Sequence, residues 1–274
     1  MRFTKMQGTG NDYIYINGFE ESVSAPEKLA PALCRPHFGV GSDGIILIEP
    51  SEKADCKMKM YNADGSEGFM CGNGIRCVGK YVYEYGIVPK NHITVETMSG
   101  IKELYLETEQ NKVISVTVNM GTPEIKPSMA VTQNDCHFIL HPVSMGNPHA
   151  VIWVSDTEYF PVKAMGKYLE EISLFPGGCN IEFAHIINRK QIQMRVWERG
   201  SQETLSCGSG ACAVFAVAYK LGLVESKITV NVLGGDLEIY TLDQGNSIYL
   251  KGPAKVVFEG IYPENDNLTF LKRK

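Results

Sequence analysis

No stretch of the 274-residue sequence comes near the ~20 consecutive apolar residues that a membrane-spanning helix needs. No signal-peptide core follows Met1-Arg2-Phe3-Thr4-Lys5, which leads straight into polar, glycine-rich sequence. These absences point to a cytoplasmic protein with no membrane partner. Basic clusters are scarce too. Outside the tail Lys272-Arg273-Lys274 the cations are scattered and the net charge is −5, so the chain lacks the electrostatic footprint of a nucleic-acid binder. Cys-x-x-Cys pairs are missing, and the spacings Cys71-x5-Cys77 and Cys207-x4-Cys212 do not suit a thiolate metal site. Cys136-His137-x3-His141 could seed one, but strand alternation explains it equally well, and no metal or cofactor is expected. The eight cysteines (34, 56, 71, 77, 136, 179, 207 and 212) read as thiols, because a cytoplasmic chain of this length needs no disulfide stapling.

What the chain does contain is an ordinary globular composition, 44% apolar and 21% charged, with length enough for two cores. It also contains one pattern twice. Cys71-Gly72-Asn73-Gly74 returns as Cys207-Gly208-Ser209-Gly210, 207 − 71 = 136 residues later. Each copy opens a helix-like run ending at a glycine, Gly86 and Gly222, again 222 − 86 = 136 apart. Asn11 precedes Cys71 by 60 residues, and Asn147 precedes Cys207 by 60. Gly44 and Asn180 open strands 180 − 44 = 136 apart, and Glu198 falls on Asn62 at the same interval. Two copies are too few for a solenoid, so this is a domain duplication.

The pattern between these landmarks predicts strands near 3–7, 13–16, 45–48 and 56–62, then 93–97, 102–108 and 113–119 after the first helix. A short helix is predicted over 26–38, with Pro26 in its first turn and Ser24 as its cap. Gly39-Val40-Gly41-Ser42-Asp43-Gly44 matches G-x-G-x-x-G but is followed by the strand Ile45 to Ile48 rather than a helix, so it is not read as a nucleotide site. Gly121-Thr122-Pro123 marks a domain boundary near 119–124. The fold class is α+β: two pseudo-symmetric domains, each a long helix wrapped by mainly antiparallel strands. The domains are set at 1–118, completed by the tail 262–274, and at 119–261.

A cysteine at a helix N-terminus carries chemistry. The first helical N–H groups have no internal partner and point outward with the positive end of the dipole. They hold a carboxylate, the adjacent glycines let it come close, and the same field is expected to lower the thiol's pKa. Two such sites acting on one molecule would let one thiolate remove an α-proton while the other thiol returns one to the opposite face, inverting the stereocentre. Backbone donors at the carboxylate would stabilise the enediolate-like charge that develops. Cys77 and Cys212 sit inside the helices out of register and are read as core thiols.

The strings TGNDYIYIN, GSDGIILIEP, MYNADGSEGFMCGNGIRC, SMGNPHAV, NIEF and RVWERGSQETLSCGSGACA resemble the diaminopimelate epimerase family, pyridoxal-phosphate-independent amino-acid racemases, in that family's order and over nearly the whole chain. The resemblance implies two pseudo-symmetric α+β domains with the active site in the cleft between them, conversion of LL-2,6-diaminopimelate to the meso form without cofactor or metal, and lysine or cell-wall precursor synthesis as the setting. A homodimer is expected. The resemblance makes Cys71 and Cys207 the acid–base pair, with His149 and Glu198 as their respective polar helpers. It assigns backbone donors at Gly72, Asn73, Gly208 and Ser209 to the reacting carboxylate, and it lines the rest of the site with Asn11, Asn62, Asn147, Asn180, Glu198 and Arg199. Arg199 suits a second carboxylate through its two-pronged geometry. Two positions depart from the family's pattern: Gly44, where some members carry Gln, and Gln202, where a small residue is usual.

Each assignment has a plainer structural counterpart. Asn11, Asn73 and Asn147 are flanked by glycine and suit turns, Asn62 and Asn180 can end strands, His149 can be a satisfied structural histidine, and Glu198-Arg199 an exposed pair. Three other functions stay open on the residues alone: a related racemase of another amino acid, an amino-acid binding protein, and a thiol redox protein that readily forms a Cys71–Cys207 disulfide.

Overall fold

A computed structural model of the chain describes residues 1–133, 136–171, 175 and 177–263. Two compact units emerge, one of Met1–Val116 with Pro253 onward, the other of Thr117–Gly252.

The first unit runs β1 (Arg2–Gly8), β2 (Asn11–Asn17), α1 (Pro26–Leu33), β3 (Gly44–Glu49), β4 (Cys56–Asn62), β5 (Glu67–Gly68), α2 (Gly72–Glu84), β6 (His92–Thr97), β7 (Gly100–Glu109) and the first half of β8 (Lys112–Gly121). The second holds β9 (Glu124–Ile125), β10 (Met129–Gln133), β11 (Cys136–Ser144), β12 (Pro148–Trp153), α3 (Val162–Glu171), β13 (Asn180–Asn188), β14 (Gln191–Glu198), β15 (Gln202–Thr204), α4 (Gly208–Lys220), β16 (Lys227–Val232), β17 (Gly235–Tyr240) and β18 (Ile248–Gly252). The last strand, β19 (Lys255–Ile261), pairs antiparallel with β1.

The strand registers repeat between the units. β2 runs parallel to β3 with Tyr13 opposite Gly44, and β12 runs parallel to β13 with His149 opposite Asn180, both 136 residues on. Ile45 faces Tyr61, and Ile181 faces Trp197, in the antiparallel pairs that follow. Met60 faces Gly68 as Val196 faces Thr204. β4 returns parallel to β6 as β14 does to β16.

Each long helix is buried by its own unit. Of the thirteen residues of α2, Ile75, Cys77, Val78, Tyr81 and Val82 belong to the core, and the side chain of Arg76 is wholly buried. Three glycines and several β-branched or aromatic residues make α2 a poor helix former by propensity. Burial on several sides and the cap at Cys71 hold it instead. α4 is richer in alanine, a strong helix former, and buries Val214, Phe215 and Val217. Both helices end alike. Gly86 and Gly222 adopt φ of +72° and +70°, and the amides of Val88 and Leu223 reach back to the carbonyls of Val82 and Ala218. A glycine is required there because the left-handed turn crowds any Cβ.

Three sequence expectations shift. The helix predicted over 26–38 ends at Leu33, since Arg35 precedes Pro36 and is pushed out of helical geometry. Its N-cap is Ala25, with no side-chain bond, rather than Ser24. The units divide at Val116/Thr117 and again at Pro253, because β19, expected in the second domain, hydrogen-bonds β1. Most of the tail 262–274 and the side chain of Cys136 lie outside the described residues.

Candidate active site

In the first unit, Cys71 caps α2 in extended conformation, φ −122° and ψ 120°. Its Sγ accepts from the Gly74 amide at 3.3 Å and donates to Asn11 Oδ1 at 3.1 Å. Asn11 cannot turn freely, because its Nδ2 donates to Asp43 Oδ2 at 2.7 Å and Asp43 Oδ2 also accepts from the Asp12 amide at 3.1 Å. Desolvation by burial raises the Asp43 carboxyl above its ordinary value, offset in part by the hydrogen bonds from the Asp12 amide and Asn11. So Asp43 orients Asn11, and Asn11 holds the Cys71 hydrogen.

The first turn of α2 is fixed from inside. The Asn73 side chain accepts from Arg76 Nη1 at 2.8 Å, and Arg76 donates also to the Gly72 and Pro253 carbonyls. Thr9 Oγ1 approaches Asn73 Oδ1 at 3.4 Å. Tyr15 donates to the Gly74 carbonyl at 3.0 Å from below. Asn62 closes the β4–β5 turn, its Nδ2 donating to Ser66 Oγ at 3.0 Å. Gly44 has no room for a side chain. A Cβ there would stand 2.3 Å from the Tyr61 carbonyl and 2.8 Å from the Tyr13 ring, so Tyr13 fills the space above it.

In the second unit, Cys207 caps α4 in the same conformation, φ −117° and ψ 109°, and is only 5% exposed. Its thiol is pushed well above its ordinary value, first by burial and then by the carboxylates of Glu198 and Glu182. This reverses the expectation that the helix terminus lowers it. A helix end contributes ~0.3–1 kcal/mol, under one pKa unit, whereas full burial shifts a group by up to ~3–5 units. Glu198, at the end of β14, is raised by burial, offset in part by hydrogen bonds from Thr204 and Cys207. Thiol and carboxyl therefore sit side by side: the thiol's hydrogen bond favours the carboxylate, and the carboxylate's charge disfavours the thiolate.

His149 is buried on β12. Its Nδ1 meets Glu182 Oε1 at 2.6 Å, and its Nε2 meets Asn147 Oδ1 at 3.1 Å. Asn147 Nδ2 donates to Ser209 Oγ at 3.4 Å, and Ser209 Oγ lies 3.6 Å from Cys207 Sγ. Asn180 Oδ1 accepts from the Arg199 amide at 3.0 Å, and the Arg199 guanidinium donates to the Gly177 carbonyl at 3.0 Å. Glu170 accepts from Trp197 Nε1 and the Gly200 amide, steadying the loop that carries Arg199.

The structure thus gathers Cys71, Asn11, Gly72 and Asn73 in one unit, and Cys207, Glu198, His149, Asn147, Asn180, Arg199, Gly208 and Ser209 in the other. Asn62 lies opposite Gly44 on β4, and its neighbour Ala63 donates to the Asp43 carbonyl. Asp43, Arg76, Thr204 and Glu182 escaped the sequence reading. Glu182 could have been found: it is a carboxylate inside the otherwise apolar strand opening Asn180-Ile181-Glu182-Phe183, where alternation alone would not bury a charge.

The family model described as diaminopimelate epimerase matches residues 3–126 and 142–257. The chain belongs to the diaminopimelate epimerase family. It is an isomerase that works as an epimerase. A relative from Acetivibrio thermocellus, named diaminopimelate epimerase, is 50% identical over 95% of this chain and 98% of its own length. One so named from Methanococcus maripaludis is 44% identical over 95% of this chain and 99% of its own. Solved structures show the fold at much lower identity. A probable proline racemase from Agrobacterium radiobacter superposes with a TM-score of 0.78 at 14% identity, covering 96% of this chain and 93% of that one. A hydroxyproline epimerase from Agrobacterium vitis gives 0.77 at 15%, covering 98% and 94%. The family's two-domain α+β architecture agrees with the repeated registers above.

Proposed function

We propose that the chain converts LL-2,6-diaminopimelate to meso-diaminopimelate by two-base proton transfer between Cys71 and Cys207, with side chains and backbone alone. The observation that carries this reading is the paired placement of the thiols. Each caps a buried helix at the same place in a duplicated unit, yet each has a different proton partner, Asn11 for Cys71 and Glu198 for Cys207. A packing role would not require matched caps with mismatched partners.

In this mechanism the reacting carboxylate takes the backbone N–H groups of Gly72, Asn73, Gly208 and Ser209. The two helix N-termini then oppose the charge that grows as the α-proton leaves. Both thiols rest protonated: Cys71 donates to Asn11, and Cys207 is pushed up. One must lose its proton before turnover. Glu198, which hydrogen-bonds Cys207, is the acceptor for the Cys207 hydrogen. The Cys207 thiolate takes the α-proton from one face and the Cys71 thiol returns one from the other; the reverse reaction exchanges the roles, with His149 the polar helper on the Cys71 side. Arg199 holds the distal carboxylate. Asn11, Asn147 and Asn180, with Asn62 from its turn, complete recognition of the ammonium and carboxylate groups. The reaction belongs in the cytoplasm, feeding lysine and peptidoglycan precursor synthesis. The working form is a homodimer, a reading supported by the apolar Val257, Phe258 and Ile261 that β19 exposes.

The test is α-proton exchange. The reduced protein is incubated with LL-diaminopimelate in heavy water, beside Cys71→Ala and Cys207→Ala and a panel of other amino acids, and the α-hydrogen is followed by NMR. Deuterium should enter as the meso form appears, and both variants should stop it. Exchange with a different amino acid alone would move the substrate and direct attention to Gly44 and Gln202. No exchange with any amino acid would end the epimerase reading.

A further inference from the structure

Among the described residues Glu182 is the one carboxylate in the fully buried set. Its Oε1 lies 2.6 Å from His149 Nδ1, while its Oε2 is buried with no hydrogen-bond partner. An isolated carboxylate in such a place is costly, so its position calls for a reason.

The duplication shows that packing is not the reason. The residue 136 positions earlier is Ile46, fully buried on β3, and the counterpart of His149 is Tyr13, whose ring lies over Gly44. The same strand place is therefore filled by an apolar side chain in one copy of the fold. Only the copy carrying a histidine carries the carboxylate.

The hydrogen bonds around the ring fix its protons. Asn147 Nδ2 donates to Ser209, so Asn147 turns its Oδ1, an acceptor only, toward His149 Nε2. Both ring nitrogens therefore face acceptors, the Glu182 carboxylate at Nδ1 and the Asn147 carbonyl oxygen at Nε2. When the ring holds a single proton, the carboxylate, the stronger acceptor, favours keeping it on Nδ1. An imidazole without such a partner is free to place its proton on either nitrogen.

We propose that Glu182 is the positioning residue for His149: it locks the ring's orientation and tautomer, so that Nε2 is the nitrogen left to exchange a proton. Glu182 acts on His149 through a hydrogen bond, and its charge also bears on the Cys207 thiol. The kinetic arm of this inference rests on the epimerase reading; the spectroscopic arm does not.

The experiment uses the full chain labelled with 15N-histidine, wild type and Glu182→Gln, with Glu182→Ile as the first unit's own solution at this place. The chain has six histidines, so His149 can be assigned with one His149→Asn control. The wild type should show a strongly downfield proton on His149 Nδ1. In Glu182→Gln that signal should vanish and the neutral ring should hold its proton on Nε2. Its kcat for epimerisation should fall on the order of 10²–10⁴-fold, as expected for a histidine left in the wrong tautomer, with KM within about threefold. A kcat within threefold of wild type, or a downfield Nδ1 proton that persists in Glu182→Gln, would overturn the assignment. Should the variants fail to fold, a wild-type ring with no proton on Nδ1 would overturn it as well. Wild-type protein that does not epimerise diaminopimelate would remove the functional reading, and the NMR comparison would still decide whether Glu182 sets the state of His149.

Discussion

Gly74 and Gly210 occupy the same turn of α2 and α4, and replacing each with alanine should have unlike consequences. An alanine inside a helix is favoured over glycine by up to ~1 kcal/mol. At Gly74 the new Cβ would stand 2.8 Å from the Ile46 Cδ1 methyl, the far end of a flexible apolar side chain. Ile46 can turn, and the overpacking cost of ~1–3 kcal/mol is reduced by the gain in helix propensity. At Gly210 the Cβ would stand 2.7 Å from Glu182 Oε1, where about 3.4 Å is ordinary contact, so the carboxylate must move by roughly 0.7 Å. That displacement can stretch the 2.6 Å bond to His149 to about 3.3 Å and weaken it. A charged hydrogen bond lost in the interior costs ~1.5–3 kcal/mol, more than the helix gains. Gly74→Ala should therefore stay within ~1 kcal/mol of wild type in urea denaturation and keep its kcat within a few-fold. Gly210→Ala should lose ~1–2 kcal/mol and at least tenfold in kcat. A Gly210→Ala protein as stable and as active as Gly74→Ala would refute the claim that the space beside Gly210 is held for the Glu182–His149 pair.

Asp43→Ala should free the Asn11 amide to turn and release the Cys71 hydrogen. Alkylation of Cys71 by iodoacetamide, read by peptide mass spectrometry, is expected to change several-fold, and an unchanged rate would show that Asn11 is held by other means. Alkaline pH should destabilise the fold. Burial raises Cys34 and Cys77 from the ordinary thiol value to about 11, so the unfolded chain loses these protons first and stability drains away between about pH 9 and 11. The buried Cys77 alone contributes roughly 2–3 kcal/mol of this, and a urea midpoint equal at pH 8 and pH 10.5 would contradict it. Gln202 sits at φ +65°, a conformation that favours glycine, so Gln202→Gly should raise the denaturation midpoint by the equivalent of ~0.5–1 kcal/mol.

Several of these residues were legible in advance and others were not. The repeated Cys-Gly-x-Gly, the glycines that end both helices, and the 136-residue interval were visible because turns and helix caps are set by neighbours along the chain. The interval then carried over to strand registers that no local pattern specifies, such as His149 opposite Asn180. Gln202 illustrates the other kind of residue. Its departure from the family's small residue was plain, but the reason, a left-handed backbone, is a matter of coordinates.

By itself the sequence determined that there are two copies of one α+β unit, that each places a thiol at a helix N-terminus, and which residue types surround it. It could do so because capping, turn formation and hydrophobic periodicity act over a few residues. The tertiary structure decided the rest. It returned β19 to the first unit, because strand pairing joins residues 260 − 3 = 257 positions apart. It buried Cys207 against Glu198 and so raised a thiol that the helix terminus alone would have lowered. It set Glu182 beside His149 and Asp43 beside Asn11, at separations of 33 and 32 residues. Burial and charge–charge contact depend on distance through space, and that distance is fixed only when the strands have found their partners.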